Sequence, residues 1–244
     1  MRILALDSSG LVASVAVVES DGVESQTLAE YTVNYKKTHS QTLLPMLDEV
    51  ASMIDLDLNT IDAIAVAGGP GSFTGLRIGS ATAKGLGLAL NKPLIHVPTL
   101  EGLAYNLCGT KELVCPIMDA RRGQVYTGIY SFEGTRMITL EDQMAVSIEE
   151  LAQKLKAYEQ PVTFLGDGVP VFRKKLTDEL MVNDEISFAP AHMNRQRAAA
   201  IGALGICFYN HGNIETAAAH RPDYLRVSQA ERERAEREAA KKDQ

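Results

Sequence analysis

Apolar and polar positions alternate along the chain in a way that predicts strands and helices in turn. Short apolar runs predict strands at residues 3–6, 13–18, 63–67, 94–97, 113–118 and 162–165, with a further strand at residues 24–31. Apolar residues at helical spacing predict helices at residues 39–54, 74–90, 147–158, 171–180 and 194–209. The pattern therefore favours an α/β fold.

The segment of residues 68–91, GGPGSFTGLRIGSATAKGLGLALN, organises the rest of the chain. It follows a strand rich in isoleucine and valine, so its Gly-Pro turn is expected to lead from a buried strand into a helix. Ser72 or Thr74 can cap the start of that helix with a hydroxyl group. Asn91, with Pro93 two positions later, predicts its end.

Two rows of small residues run along this helix at i+4 spacing. One row is Gly75, Gly79, Ala83 and Gly87, and the other is Ala81, Gly85 and Ala89. At about 100° per residue the rows lie on nearly opposite sides. Each glycine costs roughly 0.5–1 kcal/mol relative to alanine, so the rows indicate close approach from two directions. One side is expected to face the sheet, and the other a second helix of this chain or a partner. A helix enclosed within one domain, or a phosphate-binding turn that lacks a Walker lysine, is the alternative.

Two alternative starts are consistent with the sequence of the helix at residues 39–54. Thr38 or Ser40 can cap it, but Pro45 either lies near its first turn or falls inside it. His39 is interpreted as a structural residue, with a ligand or general base as the alternative.

The chain contains two similar strand–turn–strand units. Asp7 ends the first strand and precedes Ser8-Ser9-Gly10, and Asp119 ends a later strand and precedes Ala120-Arg121-Arg122-Gly123. A second strand follows each turn. The repeat predicts two related halves with Asp7 and Asp119 at equivalent corners.

The composition is that of a globular protein. The chain has 244 residues, of which 45% are hydrophobic and 23% charged, with a net charge of −7 that argues against broad nonspecific binding to nucleic acids or membranes. The start, MRILALDSSG, resembles a strand more than a signal peptide, and no apolar run reaches 18 residues, so a cytoplasmic protein is expected. Three cysteines at unrelated spacings predict free thiols.

The two repeated units resemble the duplicated architecture of the actin/Hsp70/sugar-kinase (ASKHA) superfamily. Within it, the chain resembles the bacterial TsaB (YeaZ) family through the segments ILALDSSG, HSQTLLP, GGPGSFTGLRIG, VPTLEGLA, MDARRGQVY and RPDYLR, in this order between residues 3 and 226. This resemblance implies a two-lobed fold with a reduced C-terminal lobe. The expected domains are residues 1–102 and 103–227, followed by a charged tail, 228–244, that is helical or disordered.

The resemblance implies a role in making N6-threonylcarbamoyladenosine (t6A) at tRNA position 37. In that role the chain is a noncatalytic scaffold that activates TsaD, its catalytic paralogue. The implied partners are a TsaD-type subunit, a TsaE-type ATPase and, when the chain is alone, a second copy of itself. Contact with tRNA is expected to be only indirect.

Two departures from catalytic relatives support a noncatalytic interpretation. TsaD-like proteins carry a metal-binding histidine pair where this chain has Thr99 and Leu103, and these residues cannot share a metal ion. Arg121 and Arg122 replace the glycines of the second phosphate hairpin and obstruct a backbone phosphate site. We therefore expect no catalytic residue, no metal and no tightly bound cofactor.

The resemblance also assigns a degraded cleft and a partner interface. A vestigial nucleotide cleft, with at most weak ATP or ADP binding, is predicted at Asp7, Ser8, Gly166 and Gly168. The helices at residues 39–54 and 74–90 are predicted to form the partner interface through Leu43, Met46, Gly75, Leu76, Ile78, Gly79 and Ala83. An ATP-dependent transferase or kinase that uses Asp7 is the alternative function, and a glycoprotease is disfavoured.

Overall fold

The computed structural model describes residues 1–35 and 37–225. The predicted tail, 228–244, lies outside these ranges. The strands are β1 Arg2–Asp7, β2 Ala13–Ser20, β3 Ser25–Val33, β4 Ala63–Ala67, β5 Leu94–Val97, β6 Leu113–Asp119, β7 Gln124–Glu133, β8 Arg136–Ser147, β9 Val162–Leu165 and β10 Ile186–Phe188. The α-helices are α1 His39–Met53, α2 Phe73–Leu90, α3 Thr99–Ala104, α4 Ile148–Lys156, α5 Val169–Lys175 and α6 Ala198–Asn210. Short helical turns cover Leu58–Thr60, Tyr105–Leu107 and Leu176–Leu180.

The strands form two five-stranded sheets with the same plan. The first sheet has the order β3-β2-β1-β4-β5, in which β1 pairs antiparallel with β2 and parallel with β4. The second has the order β10-β9-β6-β7-β8, in which β6 pairs antiparallel with β7 and parallel with β9. Each sheet thus has a central strand between an antiparallel and a parallel neighbour. The predicted duplication and the two-lobed α/β architecture are confirmed.

Helices cover both faces of the first sheet. Apolar residues of α1 and α2 pack together against one face, in a core that includes Leu6 and Val66. Helix α6 packs against the other face, in a core that includes Ala65 and Ile201. Because parallel neighbours such as β1 and β4 are covered on both sides, they consist almost entirely of buried residues.

Two helices pack on the lobe that their position in the chain does not indicate. Helix α6 packs against the first sheet, although the expected domain of residues 103–227 contains it. Helix α3 packs against β6 and β7 of the second sheet, although most of it precedes the predicted boundary at residue 102. The lobes therefore exchange one helix each, and a division at a single chain position does not separate the two cores.

The ends of α2 follow the sequence prediction. The Ser72 side chain accepts a hydrogen bond from the Gly75 amide at 3.3 Å, and Asn91 ends the helix in a left-handed conformation with φ of 54°. Helix α1 begins at His39 and continues through Pro45, and the side chain of Thr38 makes no capping hydrogen bond. Pro45 therefore lies inside α1, which is the second of the two predicted alternatives.

Helix α6 begins later than the predicted residue 194. Arg197 has an extended backbone, with φ of −141°, and the Asn194 carbonyl accepts hydrogen bonds from the Gly166 amide and the Arg195 side chain. These bonds hold residues 194–197 outside the helix.

None of the helices in the two described ranges has the length and apolar character that a membrane span requires.

Candidate partner-binding face and cleft

The first row of small residues on α2 faces the end of β1. A Cβ atom at Gly75 would overlap the carbonyl oxygen of Ser8, and one at Gly79 would lie 2.5 Å from Ser8 Oγ. The Ser8 hydroxyl donates a hydrogen bond to the Gly75 carbonyl at 2.9 Å, and the Ser72 amide donates one to the Ser9 carbonyl at 2.6 Å. The chain's own β1 turn therefore explains why this side of the helix is small.

Most of the predicted partner interface is wrong, because its residues face the inside of this chain. Six of its residues are buried within this chain, namely Leu43, Met46, Gly75, Leu76, Gly79 and Ala83. The side chains among them are between 0 and 4% exposed, and Leu43, Met46 and Ala83 pack in the core on the first sheet. They cannot contact a partner without unfolding the lobe. Of the predicted set, only Ile78 is partly exposed.

The second row of small residues is the one that faces outward. Ala81, Gly85 and Ala89 are exposed, and a Cβ at Gly85 would have no neighbour within 4 Å. Leu88, one residue before Ala89, is 66% exposed. On the neighbouring helix α1, Leu44 is 53% and Met53 is 72% exposed. We call the residues Leu44, Met53, Ala81, Gly85, Leu88 and Ala89 the α1–α2 face.

Asp7, predicted to border a nucleotide cleft, is enclosed by its own turn. Its Oδ1 atom accepts hydrogen bonds from the Ser9 amide at 2.9 Å and from the Ser9 hydroxyl at 2.7 Å. Burial raises the pKa of Asp7 to about 6, although the Ser9 hydrogen bonds oppose that rise. Ser8 is also buried, and its hydroxyl is bonded to Gly75. Asp7 and Ser8 are thus enclosed by the chain, and their assignment to a vestigial nucleotide cleft stays a prediction.

Gly166 and Gly168 form a turn against the end of β6. Gly166 has φ of 108°, and a Cβ atom there would overlap the Ile117 carbonyl oxygen. The amide of Gly166 donates to Asn194, and that of Gly168 donates to Ile117 at 3.0 Å. Both amides have partners within the chain, so neither is directed at a phosphate, and the assignment of these glycines to a vestigial cleft stays a prediction. Weak ATP or ADP binding also stays a prediction.

The second strand–turn–strand unit repeats the hydrogen bonding of the first. Asp119 Oδ1 accepts from the Arg121 amide at 2.9 Å, as Asp7 Oδ1 accepts from the Ser9 amide two positions later. The Arg121 guanidinium also returns to Asp119 Oδ2 at 3.2 Å. Arg121 and Arg122 both have positive φ, and both are exposed. The two aspartates thus occupy equivalent corners, as predicted, but the second turn carries two long side chains.

The positions that match the histidine pair of TsaD-like proteins are structural here. Thr99 is fully buried, and its hydroxyl accepts a hydrogen bond from the Gly69 amide at 3.0 Å. Leu103 is buried in the core between α3 and the second sheet. These positions offer one hydroxyl that already has a partner and one hydrocarbon side chain, so they do not form a metal site.

Two further features have no local signal in the sequence. Glu101 on α3 is partly buried, and this burial, with a smaller effect from the Asp142 charge, raises the pKa of Glu101 to about 7. His96, Glu215 and His220 converge at the edge of the first sheet, although the prediction included no metal site. Both features depend on residues far apart in the chain, and no local spacing signals them.

Comparison with known proteins identifies the family. The family model described as TsaD, tRNA N6-adenosine threonylcarbamoyltransferase, matches residues 26–234. The tRNA threonylcarbamoyladenosine biosynthesis protein TsaB of Bacillus subtilis (strain 168) is 34% identical over 232 residues, which cover 95% of this chain and 96% of that protein. The chain belongs to the TsaB family.

Other TsaB-type proteins agree with this assignment. The TsaB protein of Escherichia coli (strain K12) is 34% identical over 157 residues, which cover 63% of this chain and 65% of that protein. A crystal structure from Pseudomonas aeruginosa, described as an uncharacterized protein with similarity to peptidase YeaZ, has a TM-score of 0.78 and 27% identity. It covers 92% of this chain and 99% of the other. The predicted two-lobed ASKHA fold is confirmed as that of a TsaB-type chain.

Proposed function

We propose that this chain acts in t6A biosynthesis as a noncatalytic subunit that binds a TsaD-type catalytic subunit through the α1–α2 face and activates it. The TsaE-type ATPase joins the same assembly, and tRNA contacts the catalytic subunit more than this chain. In the absence of the catalytic subunit, a second copy of this chain occupies the same face.

The observation that carries the proposal is the outward row of small residues on α2. Ala81, Gly85 and Ala89 leave the helix backbone uncovered, and a partner helix can approach it at the lower end of the usual 8–10 Å interaxial range. Burying the exposed parts of Leu88 on α2 and Met53 on the neighbouring α1 would stabilise a complex by roughly 1–2 kcal/mol each. Exposed apolar side chains of this kind are typical of the buried centre of a protein–protein interface.

The burial of Asp7 and Ser8 supports the noncatalytic part of the proposal. Asp7 and Ser8 are buried and bonded within the chain, so neither is placed to meet a substrate. Thr99 and Leu103 lack the metal-binding groups that the resemblance gives to the catalytic paralogue. The chain's contribution is thus assigned to a surface and not to a reactive centre.

A substitution series at Gly85 tests the face without disturbing the fold. Since a side chain at this position meets no neighbour, Gly85→Ala and Gly85→Leu are both expected to fold, with a helix stabilised by about 0.5–1 kcal/mol. Gly85→Leu should lower affinity for the TsaD-type subunit at least tenfold, whereas Gly85→Ala should have a smaller effect. Gln153→Leu, which adds an exposed leucine to α4 on the other lobe, is the matched control.

The measurement is affinity for the purified catalytic subunit, followed by a t6A assay on tRNA with the ATPase and each variant. Loss of binding and of t6A together in Gly85→Leu, with both retained in Gln153→Leu, is the expected result. Unchanged affinity in a folded Gly85→Leu protein would place the interface elsewhere. Full t6A formation in the complete absence of this chain would overturn the activating role. The native mass of each variant alone reports whether a second copy uses the same face.

A further inference from the structure

Three side chains from distant parts of the chain meet at the outer edge of the first sheet. His96 lies on the edge strand β5, and Glu215 and His220 lie on the segment of residues 213–223 that follows α6. Leu94 and Glu215 exchange both backbone hydrogen bonds, each at 2.9 Å, which fixes this segment against β5. Each of the three side chains offers a ligand atom within 4.8 Å of the other two.

His220 has one ring nitrogen with a partner and one without. Its side chain is wholly buried, and Nδ1 lies 2.7 Å from Glu215 Oε1. An ionised carboxylate can only accept a hydrogen bond, so Nδ1 carries the proton and Nε2 keeps a free lone pair. Among the described residues Nε2 has no hydrogen-bond partner, although it is buried. A carboxylate that holds the far nitrogen of an imidazole is the arrangement that orients histidine ligands in metal sites.

His96 repeats this incomplete hydrogen bonding. Its Nε2 atom is buried and also has no hydrogen-bond partner among the described residues. The exposed Asp223 carboxylate lies 3.2 Å from that nitrogen but not along a hydrogen-bonding direction. The His96 and His220 rings are 5.7 Å apart between centroids and tilted by 50°. The partly exposed His96 and the buried His220 thus lie side by side, each with a buried Nε2 atom that has no hydrogen-bond partner among the described residues.

We propose that His96, Glu215 and His220 form a site for a divalent transition-metal ion, with Zn²⁺ as the expected occupant. The two imidazoles supply nitrogen ligands, and Glu215 holds His220 in the required tautomer. Imidazole and carboxylate donors suit Zn²⁺, whereas Mg²⁺ and Ca²⁺ prefer sets made only of oxygen atoms. An adjoining open cavity of about 520 Å³, lined by His96, Glu215, Arg221 and Asp223, gives water and the Asp223 carboxylate access to the remaining positions.

The segment of residues 213–223 that carries the site also contacts helix α2 and the turn before it. The Lys84 ammonium on α2 donates to the His220 carbonyl at 3.1 Å, and the Asp223 amide donates to the Gly68 carbonyl at 2.7 Å. The Phe73 and Tyr224 rings lie 4.9 Å apart at the start of the helix. A bound ion would therefore stiffen this segment against β5 and α2. The proposed metal site includes neither Thr99 nor Leu103, and the inference does not rest on the proposed function.

The direct test is a calorimetric titration of chelator-treated, tag-free protein with ZnCl₂, supported by the visible absorption of bound Co²⁺. The wild type should bind one equivalent. His96→Ala and His220→Ala should each lose that stoichiometric site, and Glu215→Gln should weaken it by about 10–100-fold. His192→Ala, which removes an exposed histidine in the loop before α6, is the matched control and should bind as the wild type does.

Hydrogen exchange gives a second readout that does not require binding-deficient variants to be stable. Zn²⁺ should slow amide exchange at residues 213–223 of the wild type and leave that of the second lobe unchanged. If His220→Ala fails to fold, His96→Gln and Glu215→Gln provide the comparison. Absence of a one-equivalent site in the wild type overturns the proposal, as does equal Zn²⁺ binding by the folded His96 variants or an equal loss in His192→Ala.

Discussion

The Ser8 hydroxyl donates a hydrogen bond to the Gly75 carbonyl at 2.9 Å, across 67 positions of the chain. It joins the turn after β1 to the first turns of α2, and the Ser9 carbonyl and Ser72 amide add a second bond beside it. This contact decides which side of α2 is enclosed by the chain and which is left outward. The location of the proposed interface therefore depends on an intramolecular contact at the opposite side of the same helix.

Gly75→Ala is expected to destabilise the protein by about 1–3 kcal/mol, the usual cost of overpacking. The added methyl group would overlap the Ser8 carbonyl oxygen, and a backbone oxygen cannot move aside without shifting β1. Gly85→Ala on the same helix should instead stabilise by about 0.5–1 kcal/mol, since it meets open space. Urea unfolding of both variants measures the difference.

These two alanines have the same intrinsic helix propensity, so each controls for the other. A result in which both variants shift stability in the same direction would contradict the assignment of inward and outward rows. Ser8→Ala gives an independent check. Ser8→Ala should lower the free energy of unfolding by about 0.5–1.5 kcal/mol through the lost hydrogen bond. It should leave the stabilising effect of Gly85→Ala unchanged.

The limits of α2 could be predicted because its signals are local. Ser72 and Asn91 mark its ends through a side-chain cap and a left-handed residue, and each acts within one turn of the helix. The two rows of small residues were also predicted, since i+4 spacing is enough to place them on opposite sides. The signals of the repeated turns at Asp7 and Asp119 are also local, because each aspartate accepts a hydrogen bond from the amide two positions later.

The sequence could not show which row faces outward. Both rows consist of glycine and alanine, so composition does not separate them, and the enclosed row is determined by the distant Ser8. The same reason explains the exchange of α3 and α6 between lobes and the meeting of His96 with His220. In each case the deciding contact joins residues that are far apart in the chain, and periodicity carries no information about it.

Thr99→Val should destabilise the protein by about 1–3 kcal/mol, because it leaves the buried Gly69 amide without its acceptor. Thr99→Ser keeps the hydroxyl and should cost less. Thermal and urea unfolding of the two variants provide the comparison. If valine and serine had equal effects, the hydroxyl at this position would not be structural, and the explanation for the missing histidine would lose its support.

Asp7 gives the protein a pH dependence with a definite sign. Burial raises its folded-state pKa to about 6 from the ordinary value of 3.8, so the folded protein keeps this proton at a pH where the unfolded chain has lost it. The free energy of unfolding that depends on Asp7 therefore falls as pH rises from about 4 to about 6. A shift of about 2 pKa units corresponds to roughly 3 kcal/mol across that range.

Asp7→Asn should remove this dependence while it keeps an oxygen that can accept from Ser9. The free energy of unfolding of Asp7→Asn relative to wild type is thus expected to rise by up to roughly 3 kcal/mol between pH 4 and pH 7, because only the wild type must ionise a buried carboxyl. Urea unfolding at intervals of pH measures it, with the exposed Asp48→Asn as control. A constant difference between Asp7→Asn and wild type over this range would show that Asp7 titrates as an exposed carboxyl does. In that case the cleft beside β1 would be open to solvent, and the nucleotide-binding alternative would regain its support.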